Sequence, residues 1–291
     1  MILSVSRRTD IPNYYADWFY NRIKEGFLYV RNPMNAHQVS RINLSPEVVD
    51  CIVFWTKNPE PMMERLVELS AYSYYFQFTL TGYGRDIEGG VPHKKEEMIP
   101  VFQKLSEQIG SNKVIWRYDP ILFTKTYTPA YHLKAFAQIA EALRGYTDQC
   151  VISFVDEYAK NRKSMASLGT YELDEAELFD FAGKLHEIAE VNQMRIATCA
   201  EKLDLQECGI EHNCCVDKNR IEEIIGYRLK VGKDKNQRAE CVRANMRHYD
   251  PMSPLLCGDI LPGDKITDRK VSTHIENTLC DGFGWDAVKY P

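Results

Sequence analysis

Arg117 and Asp119 stand at the end of the apolar run "KVIW", with Tyr118 between them and Pro120 after them. An arginine offers a planar fork of N–H donors matched to a carboxylate or phosphate, and an aspartate beside it can accept a proton or hold the arginine in place. The pattern recurs. "ILSV" leads into Arg7, Arg8 and Asp10; "VDCIVFW" into Thr56, Lys57 and Asn58; "SYYFQFTL" carries Thr79 near its end and leads into Thr81 and Arg85. "QCVISFV" leads into Asp156 and Glu157, and "RIAT" into Cys199 and Glu201. The chemistry this suggests is capture of an anionic or polar small molecule by Arg7, Arg8, Lys57, Arg117 and Tyr118. Asp10, Asp119, Asp156 and Glu201 would act as acid, base or orienting groups. The plainer reading is that strand ends are polar because loops begin there, with Arg117 and Asp119 a structural ion pair.

Cysteine is the second chemical signal, at nine residues. Cys51 and Cys150 sit inside apolar runs and read as core residues. The stretch "TCAEKLDLQECGIEHNCCVD" gathers Cys199, Cys208, Cys214, Cys215 and His212, and Cys241 follows further on. Thiolates so placed could bind zinc or an iron–sulfur cluster, with Cys208, Cys214, Cys215 and Cys241 as candidate ligands. No C-x-x-C pair is present, and small buried thiols are the competing explanation. Cys257 and Cys280 are scattered in the tail. His132 and His186 fall inside helical patterns and read as surface or packing residues. No G-x-S-x-G or H-E-x-x-H motif supports a serine hydrolase or zincin.

The elements that must position these groups alternate. Six strand-like runs (2–5, 49–55, 73–80, 113–116, 149–155 and 195–198) are near-continuous apolar stretches, as strands covered on both faces should be. Helical patterns separate them. Met98, Val101, Phe102, Leu105 and Ile109 form one apolar stripe; Leu178, Phe181, Ala182, Leu185, Ile188 and Ala189 form another. Thr128 followed by Pro129 marks a helix start. This alternation predicts an α/β fold with a parallel sheet: a partial or complete (β/α) TIM-like barrel over 1–226, with an irregular extension over 227–291. A doubly wound open sheet is the alternative. No G-x-G-x-x-G or Walker A turn follows the first strand. The polar stretch 30–50, with Asn35, His37, Gln38 and Arg41, is expected near the strand ends or as a solvated hairpin.

Bulk properties limit the partners. With 36 basic and 41 acidic residues, the net charge is −5, and a global bias toward nucleic acid is excluded. No apolar run reaches membrane-spanning length, and "MILSVSRRTD" lacks the apolar core of a signal peptide, so a cytoplasmic location without a membrane partner is expected.

Several segments occur together in an order that resembles one family. They are "SVSRRTDIPNYYADWF", "VRNPMNAHQVSRI", "VDCIVFWTKNP", "FQFTLTGYG", "VIWRYDPIL", "CVISFVDEY", "TCAE" and "YDPMSPLL". They resemble the family catalogued as domain of unknown function 1848 over nearly the whole chain. That resemblance implies a cysteine cluster similar to the iron–sulfur site of radical S-adenosylmethionine enzymes, hence a [4Fe–4S] cluster and S-adenosylmethionine as cofactors on a partial barrel. In this sequence the place expected for that cluster, "KDKNQRAECVRANMRHYDPMSPLL", holds only Cys241. The leading expectation is a radical S-adenosylmethionine-like iron–sulfur enzyme acting on an anionic or polar small substrate. The alternatives are a cluster-less hydrolase or isomerase binding a phosphate- or carboxylate-bearing substrate, and a non-enzymatic nucleic-acid or ligand-binding module.

Overall fold

The structure is a computed structural model that describes residues 1–5, 9–32, 35–155, 162–199, 203–213, 215–229, 246–247 and 265–268. In chain order the strands are β1 (Ile2–Val5), β2 (Phe27–Asn32), β3 (Asn35–Asn43), β4 (Cys51–Thr56), β5 (Tyr74–Thr79) and β6 (Val114–Ile121). They continue as β7 (Gln149–Phe154), β8 (Arg195–Cys199), β9 (Glu211–Asn213), β10 (Met246–Arg247) and β11 (Lys265–Asp268). The helices are α1 (Ile11–Tyr14), α2 (Ala16–Glu25), α3 (Glu60–Met63), α4 (Ile99–Ile109), α5 (Pro129–Ala142), α6 (Arg162–Leu168), α7 (Glu175–Val191) and α8 (Lys218–Ile225).

The described residues divide into two compact units. One comprises Met1–Gln77 together with the residues from Val216 onward; the other is Phe78–Cys215. The division falls inside β5. In the first unit the strand order is β10-β1-β4-β5, and β1 pairs parallel with both β10 and β4. A separate sheet holds the antiparallel β2–β3 hairpin with β11 parallel to β3. The polar stretch 30–50 is therefore largely hairpin. In the second unit the order is β5-β6-β7-β8-β9, with parallel pairing from β6 to β9.

A mixed α/β fold on a parallel sheet is thus established. Within the second unit the order advances in one direction from β5 to β9, without the reversal that defines a doubly wound sheet. Among the described residues neither unit's pairing closes into a barrel. The stretch after 226 is not wholly irregular, since β10 and β11 lie in it.

Aromatic residues fasten the helices to the strands. In the first unit Phe54 of β4 meets Phe19 of α2 edge-on and stacks on Phe76 of β5, with centroids 5.3 and 4.7 Å apart. In the second, Phe78 stacks on Phe102 of α4 at 5.0 Å, and Trp116 on Phe136 of α5 at 4.7 Å. Tyr118 meets the same Phe136 edge-on, and Phe154 meets Phe181 of α7. Helices α4, α5 and α7 thus take the faces of β5, β6 and β7 that carry Phe78, Trp116, Tyr118 and Phe154. Alternation turns the residues between them to the opposite face. No helix among the described residues is long and apolar enough to cross a membrane.

Candidate functional site

The second unit builds its site on the sheet face opposite the helices. The apolar run of β6 ends at Trp116, and a strand end is expected there, but β6 continues through Arg117, Tyr118 and Asp119 to Ile121. Extension is possible because the two charged residues, spaced by two, fall on one face and satisfy each other. Arg117 Nε donates to Asp119 Oδ1 at 3.0 Å, and Nη2 donates to Oδ2, a bidentate bond between side chains only 4 % and 8 % exposed. Burial works against the Arg117 charge, yet the neighbouring Asp119 and Cys199 outweigh it and hold the guanidinium well above its usual range.

Register aligns further polar groups with this pair. The Leu80 N–H donates to Arg117 O, which sets Thr79 beside Arg117 on the same face. The Thr79 hydroxyl is buried and has no hydrogen-bond partner among the described residues. Arg117 lies opposite Val151, and Val151 opposite Ala197, so small side chains flank the guanidinium. At the next level, Ser153 Oγ donates to Asp119 Oδ2 at 3.5 Å, a long contact. At the same level on the next strand, Cys199 closes β8, and its sulfur hydrogen-bonds Arg117. Thr79, Arg117, Asp119, Ser153 and Cys199 thus form a polar patch at the carboxyl ends of four parallel strands, where α/β enzymes place their ligands.

Tyr118 is not brought to this patch. It faces α5, where its hydroxyl bonds His132 Nδ1 at 2.9 Å, while His132 Nε2 reaches Leu122 O at 3.0 Å. His132 is fully buried, in keeping with a packing role, and desolvation pushes its pKa down to about 4. The loop after β5 holds a separate polar knot. Lys94 Nζ bonds Thr81 Oγ1, Tyr83 O and Glu88 there, at the floor of a cleft edged by Arg85, His93 and Tyr131. Glu88 neutralises the lysine, so the cleft has no unbalanced charge at its base.

In the first unit, Asp10 is the centre of a clamp. Its Oδ1 accepts from Asn13 N at 3.0 Å, capping α1, and from Thr56 Oγ1 at 2.8 Å. Its Oδ2 accepts from Lys57 N at 2.7 Å. The segment after β1 is thereby tied to the end of β4. Burial is the largest influence on Asp10 and raises its pKa from 3.8 to about 6, although all three hydrogen bonds and the Lys57 charge pull the other way. The Lys57 side chain is half-buried. Arg7, Arg8, Asp156 and Glu201 lie outside the described residues.

The cysteines resolve into distinct environments. Cys51 and Cys150 are fully buried in β4 and β7, as core thiols. Cys208 hydrogen-bonds Phe179 O at 3.5 Å. Cys199 and Cys215 are partners, with sulfurs 3.2 Å apart. Cys214 and Cys241 lie outside the described residues. A [4Fe–4S] cluster that leaves one iron open needs three thiolates. Among the described residues no group of three or more His, Cys, Asp or Glu side chains is arranged to hold a metal ion. The described residues therefore do not supply that donor set.

Ser153 and the Cys199–Cys215 pairing escape sequence reasoning. A serine within "QCVISFV" reads as part of a core run, and sixteen residues separate the two cysteines. The one available signal was position, since Cys199 ends its strand as Asp119 ends the charged part of β6.

No curated protein matches the chain. The family described as Domain of unknown function (DUF1848) matches residues 2–247, most of the sequence and every strand from β1 to β10. With that coverage, the chain belongs to the Domain of unknown function (DUF1848) family.

Proposed function

We propose that this protein is an enzyme acting on a small anionic or polar substrate at the carboxyl ends of the strands of the Phe78–Cys215 unit. The observation that carries this reading is the buried, bidentate Arg117–Asp119 pair aligned with Thr79, Ser153 and Cys199. A buried ion pair contributes little net stability, and an apolar pair of similar volume would do as well or better. Its presence beside an orphaned hydroxyl therefore favours a chemical role. Arg117 would hold an anionic group through guanidinium donors shared with Asp119, and Asp119 would orient the guanidinium or take up a proton. The hydroxyls of Thr79 and Ser153 would fix the ligand's orientation.

Titration calorimetry with inorganic phosphate and with sulfate tests the reading. Saturable binding is expected for the wild type, weakened at least about tenfold in Arg117→Gln, the loss of one charged hydrogen-bonding contact. Lys113→Gln, a change at the opposite end of β6, should leave it intact. Circular dichroism would establish that each variant is folded. Unchanged phosphate and sulfate affinity in a folded Arg117→Gln protein would remove Arg117 from the site and the proposal with it.

A further inference from the structure

We infer that Cys199 and Cys215 form a redox-active dithiol that takes a small-molecule or peptide disulfide as its electron acceptor. The geometry is specific. The two cysteines are not joined as a disulfide, yet their sulfurs lie 3.2 Å apart, inside ordinary non-bonded contact. Cys199 ends β8 and is nearly buried, whereas Cys215 is half-buried. The two sulfurs are within hydrogen-bonding distance, so a Cys199 S–H turned toward Cys215 would stabilise a thiolate formed there. The Arg117 guanidinium at Cys199 supplies positive charge beside the pair.

These asymmetries assign the roles. The Cys215 thiolate, the more accessible, attacks one sulfur of the disulfide R–S–S–R. A Cys215–S–S–R bond forms, the R–S–S–R bond breaks, and the first R–S⁻ leaves. Cys199 then attacks the Cys215 sulfur, giving a Cys199–Cys215 disulfide and expelling the second R–S⁻. Two electrons pass from the dithiol to the substrate, and the two thiol protons end on two molecules of R–SH. The buried position of Cys199 suits a resolving thiol, because it meets only the mixed disulfide already formed on its neighbour.

The test equilibrates wild-type protein in glutathione buffers of varied reduced-to-oxidised ratio, quenches with an alkylating reagent, and maps the cysteine peptides by mass spectrometry. The expected result is a Cys199–Cys215 cross-link whose fraction follows a two-electron dependence on the ratio and returns to dithiol with reductant. Cys199→Ser should instead accumulate glutathione on Cys215, and Cys215→Ser should leave Cys199 alkylated but unglutathionylated. Alkylation of both thiols throughout the range would overturn the inference, as would a cross-link from Cys215 to Cys214. The wild-type measurement needs no variant to fold, and none of its outcomes depends on phosphate binding by Arg117.

Discussion

At the residue scale, the Arg117–Asp119 pair makes a double prediction. Asp119→Asn removes the negative partner and leaves the guanidinium buried, which should lower unfolding stability by about 3–5 kcal/mol. Replacing both residues, as Arg117→Met with Asp119→Leu, removes the charge altogether and should recover most of that loss. Urea unfolding of the three proteins measures both effects. A double variant no more stable than Asp119→Asn would show that the pair is a structural strut and not a group retained for chemistry. The residue types at this site were legible in the sequence, because a charged residue after an apolar run stands out. The Arg117–Asp119 pair was legible as an ion pair, but that Arg117 also meets Cys199, while Tyr118 turns to His132, depends on which face each alternating position takes. The location of the helices sets that choice.

At the scale of elements, five strands fall close to their apolar runs, because a strand covered on both faces needs continuous hydrophobic sequence. The sixth departs at its end. β6 reaches Ile121 because Arg117 and Asp119 neutralise each other in place; the sequence offered them as an ion pair, but the continuation of the strand through that pair was not marked by any local pattern. The helix starts were better marked: Thr128 accepts from Tyr131 N and Pro129 opens α5, as their types imply. Contact between elements supplies another prediction. A Cβ on Gly82 would lie 2.7 Å from Ala135 Cβ of α5 and 3.0 Å from the Tyr118 hydroxyl. Gly82→Ala should therefore force α5 outward and cost about 1–3 kcal/mol, read as a lower urea midpoint at unchanged slope. An unaltered midpoint would mean that the loop after β5 yields freely.

At the scale of the whole molecule, two buried groups oppose each other in pH dependence. Asp10 rises from 3.8 to about 6, so between those values the folded chain keeps a proton the unfolded chain has released. Its contribution is complete below about pH 4 and is lost as pH rises through 6, a change of about 3 kcal/mol. His132 falls from 6.5 to about 4, so in that window the unfolded chain holds a proton the folded chain lacks. Its contribution is complete above pH 6.5 and is lost as pH falls through 4, again by about 3 kcal/mol. The two slopes nearly cancel over pH 4–6. Relative to wild type, Asp10→Asn should gain stability with rising pH across this range, and His132→Gln should lose it. Urea unfolding at several pH values distinguishes them, and parallel curves for all three proteins would refute both assignments.

One pairing also orders events on the ribosome. Strand β1 has β10 as its outer neighbour, and about 240 residues of synthesis separate them. At typical elongation rates the first strand waits roughly 10–50 s for that neighbour to emerge. Strands β6 to β9 require nothing translated after Asn213. The part of the protein made in the middle is therefore complete before the part that was begun first.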